Sequence, residues 1–195
     1  MSQQSMIETF GDFIELDENR TGESLSLRFS PSSTPLQQRW RNNGLSADFL
    51  AGYVSTFLPA DDSGDAAAGR KAEVAAAVGY VANELLENAM KYGDAETGRP
   101  ISMRLHLEET RIIFHQTNTA APSRVDTLRA FIAGLAELGA ADMLIRQMEN
   151  GGGESGSGLG LLTMVNDYGA KLAFQIVHEQ DNGEALVTTQ VELDI

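Results

Sequence analysis

The chain has 195 residues, 42% of them hydrophobic, a formal net charge of −14 at neutral pH and no cysteine. This length and composition predict one globular domain with a buried core, and the lack of cysteine excludes disulfides and thiolate metal sites. The acidic excess disfavours sequence-independent binding to nucleic acid, because that affinity comes largely from Lys and Arg on phosphates.

Targeting and zinc-binding patterns are also missing from the sequence. No apolar run approaches the roughly 20 residues of a membrane span, and the N-terminal residues lack the basic start and apolar middle of a signal peptide. The histidines His106, His115 and His178 do not have the spacing of a zinc site. We therefore expect a cytoplasmic protein that neither enters a membrane nor holds structural zinc.

The N-terminal part of the chain predicts a β-hairpin followed by two short helices. Residues 8–18 and 23–31 alternate partially between apolar and polar side chains, and the stretch Asn19 to Gly22 between them has turn-forming composition. Residues 35–58 contain two short helical patterns, the second with Ser46 as its N-cap.

The rest of the chain predicts long helices separated by strand pairs. Small and polar residues at 61–69 indicate a mobile connection, and a long helix is expected from about Lys71 to Tyr92, ended by Gly93. Strand pairs are predicted within residues 101–118 and 170–194, with helices between them at 123–149 and up to about residue 168. This order of elements predicts an α+β fold rather than a doubly wound sheet.

Two oxygen-bearing side chains in the stretch VANELLENAMKYGD are the first candidate site residues. Glu84 and Asn88 are four residues apart, so on a helix they leave the same face one turn from each other. Apolar neighbours such as Val81 and Leu85 place the pair near a buried boundary, where polar groups need partners. Taken alone, the pair is more simply explained as a solvated helix charge and a buried amide that caps a neighbouring strand.

A glycine-rich loop before a helix is the second candidate. Gly156, Gly158 and Gly160 alternate with other residues, including Leu159, at the predicted start of a helix. Glycines let the backbone approach a ligand, and the helix N-terminus directs free N–H groups and the positive end of the dipole toward an anion such as phosphate. The loop is neither a Walker loop nor a Rossmann turn.

The two stretches together resemble the Bergerat-fold (GHKL) ATP-binding domain shared by DNA gyrase, a class of heat-shock chaperones, sensor histidine kinases and MutL. The resemblance rests on a helix bearing E-x-x-x-N-A, then a strand pair, a variable segment and a G-x-G-x-G-L loop, and it covers about residues 70–195. It implies a two-layer α/β sandwich with a mixed, mostly antiparallel sheet and helices on one face, with a lid at about 119–155. Residues 1–69 are then an N-terminal hairpin and helical extension of one domain, 1–195.

The resemblance also implies roles for individual residues. Glu84 becomes the acid/base or water-positioning residue and Asn88 the Mg²⁺ ligand. The glycine loop, with Gly156, Gly158, Leu159 and Gly160, binds the phosphates of ATP. Lys91 could reach a phosphate or simply stabilise the helix C-terminus, and Thr188 or Thr189 resembles the adenine-side threonine of these proteins.

One family feature is absent from the sequence. These proteins carry an Asp-x-Gly-x-Gly segment after the strand that follows the Asn-bearing helix, and its Asp accepts a hydrogen bond from adenine. The matching residues 115–122 read HQTNTAAP, and Asn118 is the best substitute because its amide offers both an acceptor and a donor.

Within the superfamily, the chain is most similar to small stand-alone serine kinases that act as anti-sigma factors or partner-switching regulators. That similarity implies ATP and Mg²⁺ as cofactors. Its implied partner is a small regulatory protein, such as a STAS-type anti-anti-sigma-like protein or a sigma factor, and a homodimer is compatible with it. Two alternatives stay open: a nucleotide-sensing module that does not turn over ATP, and a detached histidine-kinase catalytic domain.

Overall fold

The computed structural model describes residues 6–16, 20–30, 40–58, 65–93, 97–149, 158–179 and 183–195. The strands in these ranges are β1 (Ile7–Phe10), β2 (Glu23–Phe29), β3 (Ile101–Leu107), β4 (Arg111–Ala120), β5 (Lys171–His178) and β6 (Ala185–Asp194). The helices are α1 (Trp40–Ser55), α2 (Asp65–Tyr92), α3 (Pro122–Leu138), α4 (Ala140–Glu149) and α5 (Leu159–Tyr168).

The strands form one six-stranded sheet in the order β1-β5-β6-β4-β3-β2, with the helices packed on it. The predicted α+β sandwich is therefore confirmed. The expected mixed sheet is not, because every strand pairing is antiparallel. Both predicted C-terminal strand pairs, β3 with β4 and β5 with β6, are present.

The core lies between the sheet and α2. Along α2, Val78, Ala82 and Leu85 are fully buried, with the three-to-four-residue spacing of one helix face. They belong to the same apolar cluster as Phe114 of β4 and Val191 of β6. Because residues on a strand alternate between faces, the residues that flank Phe114 and Val191 point to the other side of the sheet.

That outer side is crossed by a segment that we call the strap, residues 11–16. The backbone N–H of Ile14 donates to Oε1 of Gln190 at 2.7 Å, and the Phe13 ring stacks on His115 with 4.9 Å between centroids. Arg104 donates to the carbonyl oxygen of Leu16. The strap thus covers part of the polar outer face of β3, β4 and β6.

The strap explains why the predicted N-terminal hairpin is wrong. β1 pairs with β5 and β2 pairs with β3, so the two strands lie at opposite edges of the sheet. The two edges are five strand spacings apart, which is about 24 Å. The connection 11–22 can extend over about 40 Å, so it is long enough to cross the sheet. Crossing the sheet also buries Leu16, which stabilises this path of the chain. Residues 1–69 are therefore not an extension beside a separate core, because both edge strands come from them.

Three helix predictions also need correction. α1 continues unbroken from Trp40 through Gly44 and Ser46, so Ser46 is not an N-cap; the buried side chains of Ala47 and Leu50 continue its apolar face. Residues 35–39 of the first predicted helix lie outside the described residues. α2 begins at Asp65, inside the predicted connection, since its alanine-rich start favours helix. The predicted helix 123–149 is divided at Gly139, whose φ is +78°.

The predicted helix end at Gly93 is confirmed, with the Gly93 N–H bonded to the carbonyl of Ala89 at 2.9 Å. Among the helices given above, none combines the length and the apolar character needed to cross a membrane.

Candidate functional site

A cleft of about 80 Å³ lies between the sheet, the C-terminal half of α2, the N-terminus of α5 and α3. Among the described residues, twelve from these elements line it: Asn88, Tyr92, Gln116, Asn118, Ala120, Thr127, Leu128, Phe131, Gly158, Leu161, Val187 and Thr189. These twelve residues contribute amides, hydroxyls and apolar groups but no carboxylate and no cation. The cleft brings together the helix and the glycine segment that the sequence singled out.

The α2 side of the cleft carries the predicted acidic residue and amide. Asn88 lines the cleft, and Glu84 lies one turn before it, half-buried against α5. A Cβ on Gly160 would overlap the Glu84 carboxylate, so the carboxylate sits directly on the first turn of α5. Glu84 of α2 therefore lies against Gly160 of the glycine segment.

The environment of Glu84 raises the pKa of its carboxyl. Burial is the main cause, because it penalises the charged form, and the neighbouring Glu87 carboxylate adds repulsion. Glu87 itself is exposed and accepts a hydrogen bond from Asn83 at 2.8 Å. A carboxylate with a raised pKa is a stronger base, which suits a group that must accept a proton near neutral pH.

The start of α5 offers an anion-binding geometry. Gly158 is the N-cap residue, with φ +101° and ψ −1°, and as a glycine it has no side chain with which to cap the first turn. The left-handed φ requires glycine, and a Cβ there would lie 2.6 Å from the Phe131 ring. The first-turn N–H groups of a helix have no helical acceptor and favour an anion.

The other members of the predicted glycine segment have different positions. Leu159 is 44% exposed and does not line the cleft, so only its backbone could serve a ligand there. Gly156, and the glycines at 151–153 of the predicted lid, lie outside the described residues. The described part of the lid segment forms the end of β4, then α3 and α4, and α3 covers the cleft.

The floor of the cleft is formed by β4 and β6. Gln116 and Asn118 point to the same side of β4 because they are two residues apart, and Gln116 pairs across the strands with Thr189. The Gln116 Nε2 atom donates to Asn118 Oδ1 at 2.9 Å, and Asn118 Nδ2 donates to the carbonyl of Thr119 at 3.0 Å. The predicted acceptor on Asn118 is therefore already bonded to Gln116.

Thr188 is not a cleft residue, which corrects the prediction. Its neighbours Val187 and Thr189 line the cleft, so Thr188 lies on the outer face of the sheet. There its hydroxyl is 3.0 Å from the hydroxyl of Thr117. Of the two threonines named from the sequence, Thr189 is the one in position to contact a ligand.

Lys91 is also outside the lining of the cleft. Its side chain is exposed, with the ammonium 5.1 Å from the centroid of the Tyr92 ring. Tyr92 itself lines the cleft, and the Arg124 guanidinium lies 5.5 Å from the same ring. At the C-terminal end of α2, Lys91 is placed to stabilise the helix dipole.

Sequence reasoning missed Gln116 and Phe131 as cleft residues. The alternation of β4 could have identified Gln116, since it shares a face with Asn118. No local signal marks Phe131, because its position depends on how α3 packs over the sheet.

The side chains of the cleft suit a metal ion that is coordinated mainly by a bound nucleotide and water, with few protein ligands. Within the described ranges, no three His, Asp or Glu side chains lie close enough together to bind a metal ion. Asn88 offers one amide oxygen, which fits Mg²⁺ when the phosphates of a nucleotide and water supply the other ligands.

Comparison with other proteins gives no assignment. The chain matches no protein-family model, and no curated protein is similar to it at a significant level.

Proposed function

We propose that the protein binds ATP with Mg²⁺ in this cleft and acts as a regulatory protein serine/threonine kinase. The observation that supports this most is the contact between the Glu84 carboxylate and Gly160, with Asn88 one turn further along the cleft. A proton acceptor, an oxygen ligand for a cation and an anion-binding helix end then lie side by side.

In this proposal each element has one task. The first turn of α5 binds phosphate through backbone N–H groups, and Gly158 lets the backbone come close. Asn88 holds Mg²⁺, which would offset the charge of the phosphates in an acidic protein. The amides and Thr189 on the floor contact the base, and the apolar side chains of α3 cover it.

Glu84 accepts the proton in the proposed reaction. A serine or threonine hydroxyl of the partner forms a bond to the γ-phosphorus as the bond to the β-phosphate oxygen breaks, which leaves ADP. The hydroxyl proton passes to Glu84, whose raised pKa favours that transfer. Positioning and charge stabilisation supply most of the rate in phosphoryl transfer.

The resemblance noted in the sequence supports a small regulatory protein of bacterial signalling as the phosphoacceptor, of the STAS type or a sigma factor. A cytoplasmic location and a homodimer fit the same proposal.

A second function, nucleotide sensing without turnover, is favoured by one observation. Phe131 lies against Gly158, and the cleft has a volume of about 80 Å³. Ligand pockets commonly measure about 300–1,000 Å³, so a nucleotide requires α3 to move away from the sheet. Binding could then be coupled to the position of α3 without transfer of phosphate.

Calorimetric titration with Mg²⁺ and ATP tests the nucleotide site. We expect Asn88→Ala to weaken binding at least about tenfold, because the amide ligand is lost. Asn83→Ala is the matched control, since Asn83 lies on the same helix and bonds Glu87 outside the cleft. Equal losses in both variants, or no binding by the natural protein at millimolar ATP, would contradict the proposal.

Glu84→Gln separates the two functions. In the kinase, this variant binds ATP but transfers no phosphate to the partner, because the amide cannot accept the hydroxyl proton. In the sensor, the natural protein itself binds ATP without transfer. Acid treatment of a labelled partner excludes the histidine-kinase alternative if the label survives, since phosphohistidine is acid-labile and phosphoserine is not.

A further inference from the structure

Two amides on the cleft floor form a directional chain of hydrogen bonds. Gln116 donates to Asn118 at 2.9 Å, and Asn118 donates to the Thr119 carbonyl at 3.0 Å. Gln116 is 2% exposed and Asn118 is 7% exposed, so neither amide can exchange these partners freely with bulk water.

The Thr119 carbonyl fixes the direction of this chain. A carbonyl oxygen can only accept, so Asn118 must present its Nδ2 group to Thr119. The Oδ1 atom of Asn118 then faces Gln116 and requires a donor, which is Nε2. If Gln116 rotated by half a turn about its last bond, two acceptor oxygens would face each other. The Oε1 atom of Gln116 is therefore kept in place as an acceptor.

Two groups on the cleft floor have unused hydrogen-bonding capacity. Among the described residues, Gln116 Oε1 and the Thr189 hydroxyl have no hydrogen-bond partner, and neither atom is sealed from the cleft. The two residues are direct cross-strand neighbours. A buried acceptor held in one orientation suits a ligand edge that carries an N–H donor.

We infer that Gln116 Oε1 accepts a hydrogen bond from the 6-amino group of adenine. Asn118 is the positioning residue, because its hydrogen bond with Gln116 keeps Oε1 facing the ligand. This inference rests on the proposed nucleotide site. The 6-amino group donates to the fixed oxygen, whereas the 6-oxo group of hypoxanthine or guanine turns a lone pair toward it. The site thus selects 6-aminopurine nucleotides although the described residues of its lining include no carboxylate.

The decisive probe is a pair of nucleotides that differ at the 6-position, ATP and inosine triphosphate, each titrated with Mg²⁺. We expect the natural protein to bind ATP at least about tenfold more tightly, because a site built around a hydrogen bond rejects the analogue that cannot make it. Asn118→Leu frees the Gln116 amide to rotate and offer Nε2 to a 6-oxo group. The ratio of the two affinities should then fall below about threefold, or roughly 0.65 kcal/mol.

Two further variants complete the test. Gln116→Leu should abolish the preference for ATP even if Asn118→Leu does not fold. Thr117→Val is the matched control, because it removes a hydrogen bond from the same strand on the outer face and should leave the ratio unchanged.

Equal affinity of the natural protein for both nucleotides would overturn this inference while leaving the nucleotide site standing. An unchanged ratio in Gln116→Leu would do the same. Failure to bind either nucleotide would overturn the proposed function as well.

Discussion

Gly160→Ala tests the contact on which the proposed site depends. Gly160 lies in the first turn of α5, and an added Cβ would overlap the Glu84 carboxylate. Replacing a helical glycine by alanine normally stabilises a helix by up to about 1 kcal/mol. The overlapping atoms are the end of the flexible Glu84 side chain, which can move aside at low cost. We therefore expect a cost of about 1 kcal/mol, the low end of the range for overpacking, and a net change near zero in the free energy of unfolding.

Gly52→Ala is the matched control for helix propensity. Gly52 is exposed within α1, and no atom lies within 4 Å of a Cβ built there. This variant should gain about 0.5–1 kcal/mol. Urea unfolding monitored by circular dichroism measures both variants under the same conditions.

A double-mutant cycle isolates the contact itself. In a Glu84→Ala background the Cβ at position 160 meets no carboxylate, so Gly160→Ala should stabilise the protein as Gly52→Ala does. We expect a coupling energy of about 1 kcal/mol, within the range for residues in contact. If Gly160→Ala stabilises the natural protein as much as Gly52→Ala does, Glu84 does not rest on α5 and the proposed arrangement is wrong.

Three further predictions concern pH and the two faces of β6. Burial lowers the pKa of His115, so the unfolded chain binds the proton more readily and stability should fall as pH drops below about 6.5. His115→Gln should reduce this dependence in urea unfolding at several pH values. Burial raises the pKa of Glu84, so stability should fall as pH rises above the ordinary pKa of 4.5. Glu84→Gln removes this charge and should raise the urea midpoint at about pH 7. An unchanged midpoint would contradict this. Thr189→Val should weaken ATP binding in calorimetry by about three- to tenfold, whereas Thr188→Val should not. If Thr188→Val weakens binding and Thr189→Val does not, the ligand binds on the outer face of the sheet and the proposed cleft is wrong.

The parts of the site that the sequence predicted correctly depend on local periodicity. Glu84 and Asn88 share a helix face because of the helical repeat, and α5 starts beside Gly158 because glycine and the apolar run after it mark a helix boundary. Such signals lie within a few residues of each other. The strand pairs β3 with β4 and β5 with β6 were predictable for the same reason.

The errors arose where a single residue or a distant partner decides the outcome. The choice between Thr188 and Thr189 depends on strand parity, and a shift by one residue moves a side chain to the other face. The sequence predicts Asn118 as the acceptor, but a hydrogen bond to a backbone carbonyl turns its oxygen toward Gln116, and composition does not reveal that bond. β1 has the pattern of a strand, but its partner is β5 rather than its neighbour in the chain.

The placement of β1 has a consequence for how the chain folds. Ile7 pairs with Val177, so the first strand of the sequence finds its partner only near the other end of the chain. Contacts so distant in sequence close large loops and slow folding. During synthesis β1 must wait, unpaired, until β5 and β6 have been made. We expect the sheet to grow outward from the β3–β4 hairpin, with β1 and the strap joining last and closing the outer face.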